Sequence, residues 1–120
     1  MIKSVLLVDD DPANNFVHKL MITRLGLADE IVAMESVKEA LDYLETEHPD
    51  VILLDINMPA LSGWDFMDRF SSMNIASETK VYMVSSSVNP EDRERAVKND
   101  LIADFIEKPL KAEHLRQMLA

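Results

Sequence analysis

Four short stretches of this sequence hold side chains that could do chemistry together. An acidic triplet, Asp9-Asp10-Asp11, follows the apolar run Val5 to Val8, and a lone acid, Asp55, follows Val51 to Leu54 and precedes Ile56-Asn57-Met58-Pro59. Three hydroxyls, Ser85-Ser86-Ser87, follow a third apolar run, and Lys108-Pro109 follows a fourth. Two carboxylates about 4 Å apart repel by about 4 kcal/mol at an effective dielectric of about 20, so gathered acids need protons or a cation. A hard divalent ion with oxygen ligands is the simplest answer. Mg2+ fits best, because it accepts one or two carboxylates, keeps several waters and binds phosphate oxygens. A lysine and a hydroxyl facing it could hold the other oxygens of a phosphoryl group, one as a point charge and one as a donor. Taken singly, each stretch also has an ordinary reading as a solvated loop, a helix cap or a turn. The joint reading requires a fold that brings them to one place.

The elements between them supply such a fold. Apolar runs predict strands over residues 3–8, 30–34, 51–54, 80–84 and 104–107, and their near-continuous Val, Ile and Leu content suits a sheet covered on both faces. Helix starts alternate with them. Asp11-Pro12, Ser36-Val-Lys-Glu39, Ser62-Gly-Trp-Asp65 and Asn89-Pro90 are all capping patterns, and Gly26 stops the first helix in a left-handed conformation. The expected buried stripes are Val17, Leu20, Met21 and Leu25; Val37, Ala40, Leu41 and Leu44; Phe66, Met67 and Phe70; and Leu115, Met118 and Leu119. The fourth helix offers only Ala96 and Val97 to a core, so loose attachment is expected. Strand–helix alternation repeated five times predicts the doubly wound α/β class, a parallel sheet with helices on both faces and ligands beyond the carboxyl ends of its strands. All four chemical stretches lie at those ends.

Composition narrows the function. The 120 residues carry 22 acids against 12 bases, a formal charge of -10, with 48% apolar content and no cysteine. Residues 1–120 are expected to form one domain in a reducing compartment, without disulfides or thiolate zinc. The charge argues against direct nucleic acid or membrane binding. The apolar runs fall far short of the roughly 18 residues that span a bilayer, and the first is too short for a signal peptide, so a cytoplasmic location is expected.

Val-Asp9-Asp10-Asp11-Pro, Leu-Leu-Asp55-Ile-Asn-Met-Pro-Ala-Leu-Ser-Gly63 and Glu-Lys108-Pro109 together resemble a bacterial two-component response-regulator receiver domain of the chemotaxis-regulator kind, over essentially the whole chain. The resemblance implies a flavodoxin-like five-stranded sheet of order 2-1-3-4-5. It further implies that Asp55 accepts a phosphoryl group from a phosphohistidine of a sensor histidine kinase or phosphotransfer protein, with Mg2+ as cofactor. Asp10, Asp55 and the backbone carbonyl of Asn57 would ligate the ion, and Asp9 would act through a water. Lys108 would pair with the acyl phosphate, Ser85 would donate to it, and Phe105 would be the aromatic switch. Asn57 and Ser87 match positions that tune the phosphoryl lifetime. The implied output is a switched contact with a downstream protein in phosphorelay signal transduction, not catalysis on a separate substrate.

Some residues depart from the family pattern. Ser85 stands where threonine is more frequent, and Leu101-Ile102 replaces a small pair before the last strand, which makes Asn99 or Asp100 the candidate for a left-handed residue there. Lys111 is a poor cap for the last helix, while His18, His48 and His114 lack ligand spacing. Trp64 reads as packing, and the eight methionines as core filling. Two other functions compete. Asp9-Asp10-Asp11 also resembles the opening of a haloacid-dehalogenase-type Mg2+-dependent phosphatase, with Asp9 as nucleophile and Asp11 as general acid, although that reading leaves Asp55 unexplained. The other is a receiver-shaped interaction module that works without phosphorylation, against which Asp10, Asp55, Ser85 and Lys108 all argue.

Overall fold

A computed structural model describes residues 2–86 and 89–120. Five strands, β1 (Ile2–Val8), β2 (Ala28–Met34), β3 (Val51–Leu54), β4 (Lys80–Ser85) and β5 (Ile102–Glu107), alternate with five helices, α1 (Pro12–Leu25), α2 (Val37–Leu44), α3 (Gly63–Phe70), α4 (Pro90–Lys98) and α5 (Ala112–Leu119). All strand pairs are parallel and the order is β2-β1-β3-β4-β5, the flavodoxin-like arrangement expected.

Side-chain alternation along the strands divides the core into two layers. Leu6, Val8, Ile52, Leu54, Val81 and Met83 face Val37, Ala40 and Leu44 of α2, Phe66, Met67 and Phe70 of α3, and Ala96 of α4. Val5, Leu7, Val51, Leu53, Tyr82, Val84 and Ile106 face Ile22 of α1 and Leu115, Met118 and Leu119 of α5. Burying a Leu or Phe side chain contributes about 1.5–3 kcal/mol, so these two layers supply most of the stability that fixes the strand ends.

The caps form as their residue types dictate. Asp11 accepts from the Ala13 amide at 2.9 Å, Ser36 from Glu39 at 3.1 Å and Asn89 from Glu91 at 3.0 Å. Ser62 and Asp65 close a reciprocal box, with Asp65 N donating to Ser62 Oγ and Ser62 N donating to Asp65 Oδ2. Gly26 has φ 65, and the amides of Gly26 and Leu27 reach back to the carbonyls of Thr23 and Ile22, a complete Schellman stop. Lys111 provides no side-chain cap; instead its own amide donates to His114 Nδ1 at 3.1 Å.

Three expectations need correction. The inner face of α1 is not the Val17–Leu20 stripe, since Val17 and Leu20 are exposed while Asn15 and Ile22 are buried, with Met21 and Leu25 beside them. The apolar pattern there is broad enough for either face, and the carbonyls of Asp9 and Met34 at the adjoining strand ends, which accept from its Nδ2, bring Asn15 inward. Before β5, Asn99 has φ -96, and Ala60 is the one residue other than glycine with positive φ among those described. No left-handed residue is needed, because Asn99 Oδ1 accepts from Leu101 N and Asn99 O accepts from Ile102 N, both at 3.0 Å, in a side-chain-closed turn. Helix α4 buries only Ala96, since Val97 is exposed, and its other contacts come from charged side chains: Arg95 lies 4.4 Å from the centre of the Trp64 ring, Arg93 lies 4.9 Å from that of Phe105, and Trp64 Nε1 donates to Asp92 Oδ1 at 3.1 Å.

Candidate phosphorylation site

The register of the two central strands sets the geometry of the site. Val8 pairs with Leu54, and the Asp55 amide donates to Val8 O at 2.9 Å, so the chains leave the sheet side by side with Asp9 and Asp55 as the next residues. Burying an acid is costly, which makes its location informative. Among the described residues the buried polar side chains are Asp9, Asn15, Asp55, Ser85 and Thr79, and only Thr79 lies away from the carboxyl ends of the strands.

Carboxylate oxygens of Asp9, Asp10 and Asp55 lie within 4.8 Å of one another, with Asp9 and Asp55 buried and Asp10 exposed. Lys108 donates to Asp9 Oδ2 at 2.8 Å and stands 3.8 Å from Asp55 Oδ2. Its backbone is held as well, because Lys108 N donates to Ser85 O at 2.9 Å, which places the fully buried Ser85 beside it at the end of β4. The Lys108–Pro109 peptide is cis. Burial pushes the Asp55 carboxyl up to about 6; Lys108 opposes that rise, Asp9 adds to it, the Asn57 amide bonding to the carboxylate lowers it, and Asp10 raises it again. An all-oxygen donor set that cannot shed its mutual repulsion is the chemistry a hard dication fits.

The structure thus brings together Asp9, Asp10, Asp55, Asn57, Lys108 and Ser85. Phe105 stands apart on β5, opposite Met83, with its ring buried and Arg93 over it. Ser87 falls outside the described residues. Asp11, the general acid of the phosphatase reading, is spent on capping α1. His18 is half-buried; burial chiefly, and then Lys108, hold its imidazole below the usual range, against the pull of Asp9.

Three residues at the site carry no role that the sequence alone reveals. Asn15 is one, since a helical asparagine resembles any surface polar residue until its burial is seen. Gly63 is another: it appears as a motif letter and a cap neighbour, but its amide donates to Ile56 O, and a Cβ there would lie 2.6 Å from Asp55 O and 2.9 Å from Ile56 Cα. The third is Ala60, with φ 65 inside a tight turn closed by Leu61 N donating to Pro59 O at 2.8 Å. No sequence signal marks an alanine for that conformation.

Comparison with known proteins agrees with this geometry. The chain is 32% identical over 117 residues to Two-component response regulator 24 of Arabidopsis thaliana, covering 97% of this chain and 81% of that one. A probable C4-dicarboxylate response regulator of Bacillus subtilis is 30% identical over 115 residues, and the chain spans 50% of its length. A two-component response regulator from Cytophaga hutchinsonii superposes with TM-score 0.91 at 32% identity, over 98% of this chain and 93% of that one. The fold is shared with the receiver domain of the Pseudomonas aeruginosa sensor histidine kinase PA1611, at TM-score 0.85 and 24% identity over 99% and 95% of the two chains, in a structure with a magnesium ion in its active-site cleft. The family model for the response regulator receiver domain matches residues 5–120, and the chain belongs to that family, the receiver domains of two-component signalling.

Proposed function

We propose that this receiver domain takes a phosphoryl group onto Asp55 from a phosphohistidine on a partner protein, in a Mg2+-dependent reaction. It acts as a switchable signalling domain, with no separate substrate to turn over. The observation that carries the reading is the convergence of Asp9, Asp10 and Lys108 on one buried carboxylate. An Asp55 oxygen forms the new bond to phosphorus as the bond from phosphorus to the histidine nitrogen breaks, and the leaving imidazole takes up a proton. Asp10, Asp55 and the Asn57 carbonyl would hold the ion, with Asp9 acting through a water; bound there, Mg2+ supplies charge neutralisation of the transferring group. Lys108 exchanges part of its pairing with Asp9 for a phosphoryl oxygen, and Ser85 donates to another. The magnesium in the cleft of the Pseudomonas receiver supports this assignment.

The carrier of the phosphohistidine must rest against the rim of this site. Asn14, Val17, His18, Lys108, Pro109 and Leu110 line an open cavity there, and Phe16 and Leu20 extend an exposed apolar strip from Val17 along α1. On the far side, displacement of Ser85 and Lys108 would be felt at β5 and α4, where Arg93 covers Phe105. That face would make the downstream protein contact.

Two neighbouring substitutions test the reading. Asp10→Asn removes a ligand and should sharply weaken Mg2+ binding and phosphorylation by acetyl phosphate. Asp11→Asn should be nearly silent, since asparagine caps as well as aspartate. The reverse pattern would favour the phosphatase reading.

A further inference from the structure

Asn15 lies on the buried face of α1 and is 4% exposed. Its Nδ2 donates to the carbonyl of Asp9 at 2.9 Å and to that of Met34 at 3.2 Å. The Met34 carbonyl also accepts from Asp9 N at 3.1 Å, so one carboxamide joins the ends of β1 and β2 to the helix. Its own Oδ1 is buried and, among the described residues, has no hydrogen-bond partner. Leaving a buried acceptor unpartnered is unfavourable, and a side chain kept only for packing would avoid that cost. The carbonyl it holds belongs to the peptide that joins Asp9 to Asp10. Among the described residues no hydrogen bond holds the exposed Asp10 carboxylate, so the direction of Asp10 rests on the plane of that peptide. Asp9, by contrast, is fixed by Lys108 and by the Asp11 amide at 2.9 Å.

We propose that Asn15 is a positioning residue for the metal site: it locks the Asp9–Asp10 peptide so that the Asp10 carboxylate converges with those of Asp9 and Asp55. The inference rests on the reading of this cluster as a Mg2+ site. Partners that orient metal ligands without touching the metal typically cost about 10–100-fold in affinity when removed. Asn15→Val deletes both donors in the same buried position, so Mg2+ affinity should fall about tenfold or more. The Mg2+ concentration for half-maximal phosphorylation by acetyl phosphate should rise in parallel, while the rate at saturating Mg2+ stays within about threefold of the parent.

Calorimetric titration with Mg2+ alone, at a temperature well below unfolding, reads the affinity directly. Ile22→Ala, on the same helix and equally buried, serves as a control for lost stability; it should unfold at lower temperature with its Mg2+ affinity unchanged. If Asn15→Val proves too unstable, Asn15→Ser keeps a shorter donor and should show a smaller loss in the same direction. Wild-type affinity in a folded Asn15 variant, or an equal loss in Ile22→Ala, would overturn the assignment. Failure of the unmodified protein to bind Mg2+ would instead overturn the metal-site reading, and the role of Asn15 with it.

Discussion

Lys108 is bound more closely to Asp9, at 2.8 Å, than to Asp55, at 3.8 Å. The lysine therefore waits on the neighbouring acid and leaves the Asp55 carboxylate open to an incoming phosphorus. In the same place its charge opposes any dication. Lys108→Met keeps most of the stem and removes the charge, so it should tighten Mg2+ binding by about 1 kcal/mol, or roughly fivefold, yet slow phosphorylation about tenfold or more at saturating Mg2+. Calorimetric titration and phosphorylation rates measured side by side would show this opposite movement. Unchanged values of both would remove Lys108 from the site.

The raised Asp55 carboxyl makes stability depend on pH. Its ordinary value is 3.8 and its value in the fold is about 6, so between these limits the folded state binds more protons than the unfolded chain. Stability contributed by the bound proton is present below the lower limit and lost as pH rises through the upper one. Metal-free Asp55→Asn should therefore be more stable than the parent by about 3 kcal/mol above pH 7, with the difference vanishing near the ordinary value. Denaturant unfolding in a chelator across this range checks it. Mg2+ competes with the same proton, so its affinity should weaken as pH falls below about 6.

The loop between β3 and α3 carries two opposed backbone demands. Ala60→Gly relieves the positive φ and should stabilise the fold by about 0.5–1 kcal/mol. Gly63→Ala drives a Cβ into the backbone of Asp55 and Ile56, which cannot yield as a flexible side chain could, and should cost about 2 kcal/mol or more while slowing phosphorylation. Thermal unfolding of the two variants should move in opposite directions.

Trp64 is the sole tryptophan and bridges α3 to α4 through Asp92 and Arg95. Trp64→Phe keeps a ring but deletes the hydrogen bond, at a cost of about 1 kcal/mol. Amide exchange should quicken over residues 90–98 and stay slow in β3. In the unmodified protein, phosphorylation should change Trp64 emission if α4 takes part in the output.

The sequence makes some of this structure readable and hides the rest for definite reasons. Strand ends and caps are legible because β3, the Ser62–Asp65 box and the Gly26 stop are each dictated by neighbours within a few residues. Asp9, Asp55 and Lys108 are legible because doubly wound topology places every strand end on one side. The inner face of α1 is not, because its apolar residues fit two faces and a buried asparagine decides between them. The attachment of α4 escapes for a similar reason: Arg93, Arg95 and Asp92 read as a solvated charged face, and the rings they meet come from α3 and β5. The resting position of Phe105 depends on that same attachment.

Intact mass measured after incubation with Mg2+ and acetyl phosphate tests the central claim most directly. The account predicts a gain of one phosphoryl group that is labile in base, dependent on Mg2+, and absent from Asp55→Asn with its fold intact. A gain of the same size in Asp55→Asn, or none in the unmodified protein with Mg2+ bound, would contradict the assignment of Asp55 as the phosphoryl acceptor.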